Sequence, residues 1–248
     1  MAVQQRPQPK QDYSGKYPLV TFRIRREVPR PPAALVARFE PCFVPDISDL
    51  VGRMYTLDGS IQSLYQPAPK LVGTALTVKC PPGDNVGVKK ALYMVQPGDV
   101  LVIDAQGFTE WCLGGFGMLV RSIRERGLKG LVVNGAYRDV SQAREAGFPI
   151  YAKGVAPWSG PKRGPAEINV PVCAGGVIVH PGNIVVGDED GVVVVPRDDA
   201  ERVADHLSSV TLKPQVTDWQ DDYLTDRETD QDTYLEALLA DKGTTYLD

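Results

Sequence analysis

The stretch that decides the fold is DAQGFTEWCLGGFGMLVRSIRERGLKGLVVNGAYRD (104–139). It begins where the apolar run VLVID (100–104) ends, crosses a glycine-rich loop, and continues into FGMLVRSIRERG (116–127), whose apolar residues recur at helical spacing. A second apolar run, GLVVNG (130–135), follows directly. Continuous apolar runs on both sides of an amphipathic helix predict two buried parallel strands joined by a helical crossover.

The loop before this helix is rich in glycine, at positions 114, 115 and 117. A helix N-terminus offers backbone N–H groups without intrahelical partners and the positive end of the helix dipole, which together suit a carboxylate or an oxyanion. Glycine lets a ligand approach the backbone closely. Glycine is also common before a helix simply because it separates secondary-structure elements. The loop alone therefore leaves open whether it binds a ligand or only connects the strand to the helix.

The second strand is followed by Arg138 and Asp139. Loops after the carboxyl ends of parallel strands are where open α/β sheets bind ligands. Arg138 can bind a carboxylate through two parallel N–H···O bonds. Asp139 can hold a hard cation such as Mg²⁺, which takes one or two carboxylates and fills its shell with water and substrate oxygens. A structural ion pair or a helix cap is the alternative for these two residues.

The flanking segments extend the same pattern. KLVGTALTVKC (70–80) and FPIYAKG (148–154) are predicted strands, and VGVKKALYMVQ (86–96) has helical spacing. A β-rich segment at 168–197 is divided by GG, PGN and DEDG, which are turn sequences. Alternating strands and helices followed by closely spaced strands predict an α/β domain with more than one sheet layer.

Composition and charge exclude several classes of protein. The 248 residues carry a net charge of −4, distributed as +5 over residues 1–30, −8 over residues 218–248 and −1 between them. The nearly neutral body has no basic stripe, so we expect no nucleic-acid partner. No apolar run reaches 18 residues and the N-terminus is polar, so we expect no membrane partner and a cytoplasmic protein. Four separated cysteines and two histidines argue against a zinc site or a catalytic triad.

The spacing of the candidate residues matches a known motif. Twenty residues separate Gly117 from Arg138, and Asp139 follows at once. With the stretches GTALTVKCPPGDN (73–85) and GGVIVHPGNIVVGDEDGVVVVPR (175–197), this arrangement resembles the class II 4-hydroxy-4-methyl-2-oxoglutarate / 4-carboxy-4-hydroxy-2-oxoadipate aldolase family. That family also contains the regulator of ribonuclease E activity A. The resemblance covers roughly residues 40–205.

The resemblance implies an α/β fold of the regulator of ribonuclease E activity A type, a swivelling β/β/α three-layer domain. We accordingly expect an N-terminal arm at 1–32, an aldolase-like α/β/β domain at 33–210 and an acidic C-terminal extension at 211–248. The resemblance further implies a homotrimer or a dimer of trimers, with the active site near a subunit boundary.

The resemblance also implies a divalent-metal-dependent lyase that cleaves a 4-hydroxy-2-oxo acid to pyruvate and a second oxo acid, with Mg²⁺ or Mn²⁺ as cofactor. Oxaloacetate decarboxylation is an expected side activity because it passes through the same pyruvate enolate. Arg138 would bind the pyruvate carboxylate, Asp139 would hold the metal, and N–H groups around Gly117, Met118 and Leu119 would support substrate oxygens. Four residues are candidates for a surrounding shell: Asp84, Asn85, Asp104 and Gln142, although the first two also suit a plain PGDN turn.

Three positions depart from the family pattern. Gln142 stands where the family usually has an acidic residue three positions after the aspartate, Asn134 replaces the Asp of a VDG sequence, and Asn183 gives PGN in place of PGD. An uncharged Gln142 would weaken metal binding and proton transfer. A non-catalytic regulatory binding protein of the same fold is therefore the alternative function, and a Schiff-base aldolase using Lys79 or Lys153 is a third.

Overall fold

A computed structural model describes residues 21–211 and 227–243 of the chain. Contacts within the chain divide it into two units, with the boundary between Leu207 and Ser208. Residues 1–20 of the expected N-terminal arm, and residues 212–226 and 244–248 of the acidic extension, lie outside the described residues. The expected domain boundaries at 32 and 210 stay predictions.

The first unit alternates short strands and helices. Its strands are β1 (Arg23–Ile24), β2 (Gln62–Ser63), β3 (Leu71–Lys79), β4 (Asp99–Asp104), β5 (Gly130–Tyr137), β6 (Ile150–Val155), β7 (Glu167–Ile168), β8 (Val172–Ala174), β9 (Val177–Val179), β10 (Ile184–Asp188) and β11 (Gly191–Val195). Its helices are α1 (Ala33–Ala37), α2 (Val44–Val51), α3 (Val86–Leu92), α4 (Val120–Arg126) and α5 (Val140–Glu145), and α6 (Ala200–Thr211) runs across the boundary.

Four parallel strands, in the order β3-β4-β5-β6, form the centre of the main sheet. Strand β4 shows why they are buried, because its side chains alternate between the two faces of the sheet. Leu101 and Ile103 contact the apolar cluster under α3 and α5, and Val100 and Val102 contact the cluster on the opposite face. Both faces are therefore covered, as the continuous apolar runs of the sequence predict.

The layers on the two faces differ. Helices α3 and α5 cover one face of the parallel strands. The other face packs against the antiparallel pairs β8-β9 and β10-β11, with β10 also pairing with β3. Helices α2 and α6 cover the far side of β10 and β11. The expected α/β fold with two β layers is confirmed by this arrangement and by the structural relatives described below.

Strand β5 is longer than the sequence predicts. The apolar run GLVVNG (130–135) predicts an end at Gly135. Instead, the register with β6 shifts between Val133 and Ala136, and pairing then resumes at Ala136 and Tyr137. Helix α5 begins only at Val140. This extension places Arg138 immediately at the end of a strand.

The described part of the second unit contains the end of α6 and the helix α7 (Arg227–Asp241). Tyr234, Leu235 and Leu238 are exposed on it. Among the helices that the structure describes, none combines the length and the apolar character of a membrane span.

Candidate active site

Arg138 and Asp139 lie at the carboxyl-terminal edge of the parallel strands, directly after β5. The glycine-rich loop crosses the same edge, because the amide of Leu113 donates to Ala136 O at 3.0 Å. The loop then enters a 3-10 turn at Phe116–Met118 and continues into α4, which ends at Gly127 in a left-handed conformation. The strand end and the helix mouth therefore meet, as expected for a ligand site in a parallel sheet.

Asp139 adopts an unusual backbone conformation. Its φ is 64° and its ψ is 42°, in the left-handed region where few residues other than glycine are found. Its carboxylate Oδ2 accepts a hydrogen bond from the backbone N–H of Phe116 at 2.9 Å. The αL conformation of Asp139 thus accompanies a carboxylate that is directed at the first turn after the glycine loop. Strained backbone conformations of this kind are common at functional sites.

Gly115 and Gly117 differ in what surrounds them. A Cβ on Gly115 would overlap Asp139 Oδ2 and would lie 3.1 Å from Asp139 Cγ and 3.2 Å from Arg138 Nε. A Cβ on Gly117 would have no heavy atom within 4 Å. The close approach of loop and carboxylate therefore requires glycine at 115, whereas Gly117 faces open space.

Arg138 is held by the loop after β6. Its Nη1 donates to Pro157 O at 2.9 Å, while its Nε lies 3.9 Å from Asp139 Oδ1, beyond hydrogen-bonding distance. The Nε is buried against the glycine loop and has no hydrogen-bond partner among the described residues. Arg138 and Asp139 are therefore adjacent without forming a direct hydrogen bond, so the guanidinium keeps donors for a ligand carboxylate.

Asp139 suits a divalent cation. Its Oδ1 accepts none of the hydrogen bonds described for this carboxylate, and about a third of the side chain is exposed. Among residues 21–211 and 227–243, no three His, Cys, Asp or Glu side chains cluster as a metal site. A single accessible carboxylate fits Mg²⁺ or Mn²⁺ that takes its remaining ligands from water and substrate, and it does not fit a closed all-protein cage.

The site is an open edge in the single chain. The largest cavity described, about 840 Å³, lies elsewhere, beside Met54, Ile178 and Arg197, and Arg138 and Asp139 do not line it. Location at the strand ends and the paired chemistry of the two residues identify the candidate site here, since cavity size alone carries no chemistry.

Comparison with protein families shows to which family the chain belongs. The family model described as "RraA-like: Aldolase/RraA" matches residues 44–194, which is more than half of the chain. The chain belongs to the RraA-like family. The resemblance stated from the motifs is thereby confirmed, and the matched region contains every residue of the candidate site.

Individual RraA-like relatives carry two kinds of name. A Halalkalibacterium halodurans protein, provisionally named a 4-hydroxy-4-methyl-2-oxoglutarate aldolase, is 39% identical over 63% of this chain and 74% of its own length. A Thermus thermophilus protein named 4-hydroxy-4-methyl-2-oxoglutarate aldolase is 38% identical over 46% of this chain and 69% of its own. The structure of Streptomyces coelicolor RraAS2, described as an unusual member of the RNase ES inhibitor RraA protein family, matches with TM-score 0.67 and 31% identity, covering 81% of this chain and all of that one.

The predicted donors Met118 and Leu119 are engaged within this RraA-like chain. The amide of Met118 donates to Gly115 O at 3.1 Å, and that of Leu119 donates to Phe116 O at 2.9 Å, closing the 3-10 turn. The Leu119 side chain is fully buried. The donor that meets a carboxylate here is the Phe116 amide, while support of substrate oxygens by Gly117, Met118 and Leu119 stays a prediction.

Asp104 belongs to a structural network at the end of β4. Its Oδ1 accepts from the Gln106 amide at 2.8 Å and from Asn134 Nδ2 at 3.0 Å, and its Oδ2 accepts from the Cys173 amide at 3.3 Å. Asn134, the departure from VDG, lies within β5, and its Nδ2 also donates to Cys173 O at 3.0 Å. These bonds join the end of β4 and the middle of β5 to β8, and none of them reaches Arg138 or Asp139.

Gln142 lies on the first turn of α5, three residues after Asp139, and is exposed. The candidate Schiff-base lysines lie at other strand ends: Lys79 is exposed at the end of β3, and Lys153 is half-buried on β6. Neither lysine has a described contact with Arg138 or Asp139. The structure therefore does not bring either lysine together with the guanidinium and carboxylate of the candidate site.

Asp84 and Asn85 close a loop junction. Asp84 is buried, and its carboxylate accepts from the amides of Val86 at 3.0 Å, Arg163 at 2.6 Å and Gly164 at 2.9 Å. Asn85 precedes α3 without a side-chain cap, and its buried Oδ1 has no partner. Asp84 thus joins the loop after β3 to the loop after β6, the same loop that holds Arg138.

We expect Asp84→Ala to lower the free energy of unfolding by about 3 kcal/mol, because three backbone amides lose the buried carboxylate that accepts from them. Urea denaturation measures the change. Asp58→Ala is the matched control, since Asp58 is exposed and the hydrogen bonds described for its carboxylate come from Ser60. The control should cost below about 1 kcal/mol. Equal losses in the two variants would contradict a structural role for Asp84.

Some contacts of the site were missed from the sequence. Pro157 lies 19 residues after Arg138 in a loop without a motif, so nothing in the sequence indicated that its carbonyl holds the guanidinium. Gly115 was visible within the glycine run, but the spacing motif drew attention to Gly117. Tyr137 was visible as the residue directly before Arg138, and its hydroxyl donates to Gly115 O at 3.2 Å.

Proposed function

We propose that this chain is a divalent-metal-dependent lyase that cleaves a 4-hydroxy-2-oxo acid to pyruvate and a second oxo acid. The observation that carries the proposal is the meeting of Arg138, Asp139 and the Gly115 loop at one edge of the sheet. Relatives named as aldolases support the same reaction class.

The reaction requires three tasks of the protein. The C3–C4 bond breaks and leaves its electron pair on the pyruvate fragment, so negative charge develops on the C2 oxygen. The 4-hydroxyl loses its proton and becomes the carbonyl of the second oxo acid, while C3 gains a proton. The site must therefore hold the 2-oxo acid, stabilise charge at its C2 oxygen, and keep the leaving carbonyl aligned.

Arg138 performs the first task. Its guanidinium is planar and always charged, so it matches the geometry of a carboxylate in a way that a lysine cannot. The bond from Nη1 to Pro157 O fixes the orientation of the guanidinium before the substrate arrives. A pre-oriented donor costs less conformational entropy on binding than a mobile one.

Asp139 serves the second task by holding Mg²⁺ or Mn²⁺. When bound, the divalent cation supplies a Lewis acid for the 2-oxo group. The Phe116 amide on Oδ2 fixes the plane of the carboxylate and leaves Oδ1 available. Gln142 carries no charge, so Asp139 is the anionic group that we assign to the cation.

We also propose that the site is completed at a boundary between subunits of a homotrimer or a dimer of trimers. Val155 and Trp158 are large apolar residues on either side of Pro157, and 56% and 72% of their surfaces are exposed. Such residues beside a functional site are typical of surfaces that are covered by a partner.

Adding Mg²⁺ or Mn²⁺ is expected to produce pyruvate release from 4-hydroxy-4-methyl-2-oxoglutarate and, more slowly, from oxaloacetate. A coupled lactate dehydrogenase assay that follows NADH oxidation measures the product. A chelator should abolish the enzymatic release, since Asp139 alone cannot replace the cation. The spontaneous metal-catalysed decay of oxaloacetate is subtracted with a protein-free control.

A folded sample that releases no pyruvate with either cation would contradict the proposal. That outcome would favour the second candidate, a non-catalytic regulatory binding protein. The observation that favours this alternative is Gln142, an uncharged residue exposed on the first turn after Asp139. The name of the Streptomyces coelicolor relative also refers to an RNase inhibitor family. Loss of a captured partner after removal of residues 218–248 would support it.

A further inference from the structure

Tyr137 is the last residue of β5 and directly precedes Arg138. It is fully buried in the apolar cluster under α3 and α5, so its ring is fixed by packing. The phenolic hydroxyl of Tyr137 can donate a hydrogen bond. A buried hydroxyl needs a partner, and this one has a specific partner.

The hydroxyl of Tyr137 donates to Gly115 O at 3.2 Å. The peptide group after that carbonyl contains the Phe116 N–H, which donates to Asp139 Oδ2 at 2.9 Å. The carbonyl and this N–H belong to one planar unit, so an atom that holds the carbonyl also orients the N–H. The chain of contacts runs from the Tyr137 ring through one peptide plane to the Asp139 carboxylate.

The loop is tightly fitted on both sides of this plane. A Cβ on Gly114 would lie 3.1 Å from the Tyr137 hydroxyl, and a Cβ on Gly115 would overlap the Asp139 carboxylate. The Gly115 carbonyl also accepts from the Met118 amide at 3.1 Å. Two donors on one carbonyl leave its peptide plane little rotational freedom, and the Tyr137 hydroxyl is the only one of the two supplied from outside the loop.

We propose that Tyr137 is a positioning residue that fixes the Gly115–Phe116 peptide plane and thereby sets the orientation of the Asp139 carboxylate for cation binding. This role rests on the proposed function, in which Asp139 holds the divalent cation. Tyr137 itself does not contact the substrate or the cation. Removal of its hydroxyl leaves Asp139 in place and loosens the peptide plane to which it is bonded.

Tyr137→Phe removes the hydroxyl and keeps the ring. Tyr151→Phe is the matched control, because Tyr151 is also fully buried and its hydroxyl also donates to a backbone carbonyl, Pro69 O at 2.8 Å. Tyr151 belongs to the apolar cluster on the opposite face of the sheet. Both variants lose one buried hydrogen bond, so a purely structural effect should be similar in the two.

Two measurements test the role. The first is hydrogen exchange at the Phe116 amide in the metal-free protein, which we expect to be about tenfold faster in Tyr137→Phe and unchanged in Tyr151→Phe. The second is the Kd for Mn²⁺, followed by its electron paramagnetic resonance signal, which we expect to rise about tenfold in Tyr137→Phe alone. The KM for substrate should change little, since Arg138 still binds the carboxylate, and kcat at subsaturating Mn²⁺ should fall.

Unchanged exchange at Phe116 in Tyr137→Phe would overturn the inference, because the hydroxyl would then not hold the peptide plane. Faster exchange with an unchanged Mn²⁺ Kd would overturn it as well, because the plane would then not position the carboxylate. Equal effects in the two variants would also overturn it. A wild-type chain that binds no Mn²⁺ would contradict the proposed function and the role of Tyr137 in cation binding, and the exchange data would still show separately whether the hydroxyl holds the loop.

Discussion

Arg138→Lys is expected to lower kcat/KM for pyruvate-forming cleavage by about 100-fold, which corresponds to about 2.7 kcal/mol. Lysine keeps the positive charge but loses the planar pair of donors that bind a carboxylate in parallel. It also cannot reproduce the bond to Pro157 O with the same donor geometry, so the charge is no longer held in place. Most of the loss should appear in KM, because carboxylate binding contributes equally to the ground state and the transition state.

The control for this variant is Arg121→Lys on α4. Arg121 is exposed and pairs with Glu125 four residues later at 2.7 Å, an interaction that lysine can replace with little cost. Steady-state kinetics of the two variants, at matched metal concentration, distinguish an effect on the candidate site from a general effect of replacing an arginine by lysine. A loss of less than about threefold for Arg138→Lys, or equal losses in both variants, would remove Arg138 from the proposed site.

The strand–helix–strand core of the fold could be predicted from the sequence because its signals are local. The apolar runs that become β4 and β5 are continuous, and both strands are buried on two faces. The end of β5 could not be predicted, because it depends on pairing with β6 after a register shift. Pairing between strands is set by tertiary contacts, which sequence periodicity does not encode.

The candidate site, like the fold, could be predicted from the sequence only in part. Arg138 and Asp139 were identified as residue types with the right chemistry after a strand, and the structure places both at the mouth of the glycine loop. The αL conformation of Asp139 and the anchoring of Arg138 by Pro157 were not predictable. The Asp139 carboxylate contacts the Phe116 amide, and Arg138 contacts the Pro157 carbonyl. Each partner lies at least 19 residues away in the sequence, and the amino-acid composition of neither segment indicates the contact.

Asp84 is a residue for which the sequence left two interpretations open. A carboxylate after a strand in a PGDN sequence suits both a ligand shell and a turn. The structure shows that it accepts three backbone amides, two of them from the loop that also contains Pro157. Asp84 therefore influences the site structurally, through the loop that holds Arg138. It supports a residue that is proposed to bind the substrate and does not bind the substrate itself.

Gly115→Ala is expected to lower kcat/KM by at least about 100-fold, because an ångström-scale displacement of a catalytic group has an effect of that size. The new methyl group would overlap Asp139 Oδ2 and crowd Asp139 Cγ at 3.1 Å. The carboxylate must then rotate or the loop must move away, and either change breaks the bond from the Phe116 amide. The Kd for Mn²⁺ should rise together with the loss of activity.

Gly117→Ala tests whether this effect is specific, because it adds the same methyl group two residues later in the same loop. No heavy atom lies within 4 Å of that Cβ, so we expect kcat/KM and the Kd for Mn²⁺ to stay within about threefold of wild type. The spacing motif begins at Gly117, whereas the geometry assigns the closest approach to Gly115. A larger loss of activity in Gly117→Ala than in Gly115→Ala would mean that the substrate lies against the 3-10 turn and that the contact between Gly115 and the carboxylate is secondary. A larger loss in Gly115→Ala would mean that the loop serves chiefly to accommodate and orient Asp139.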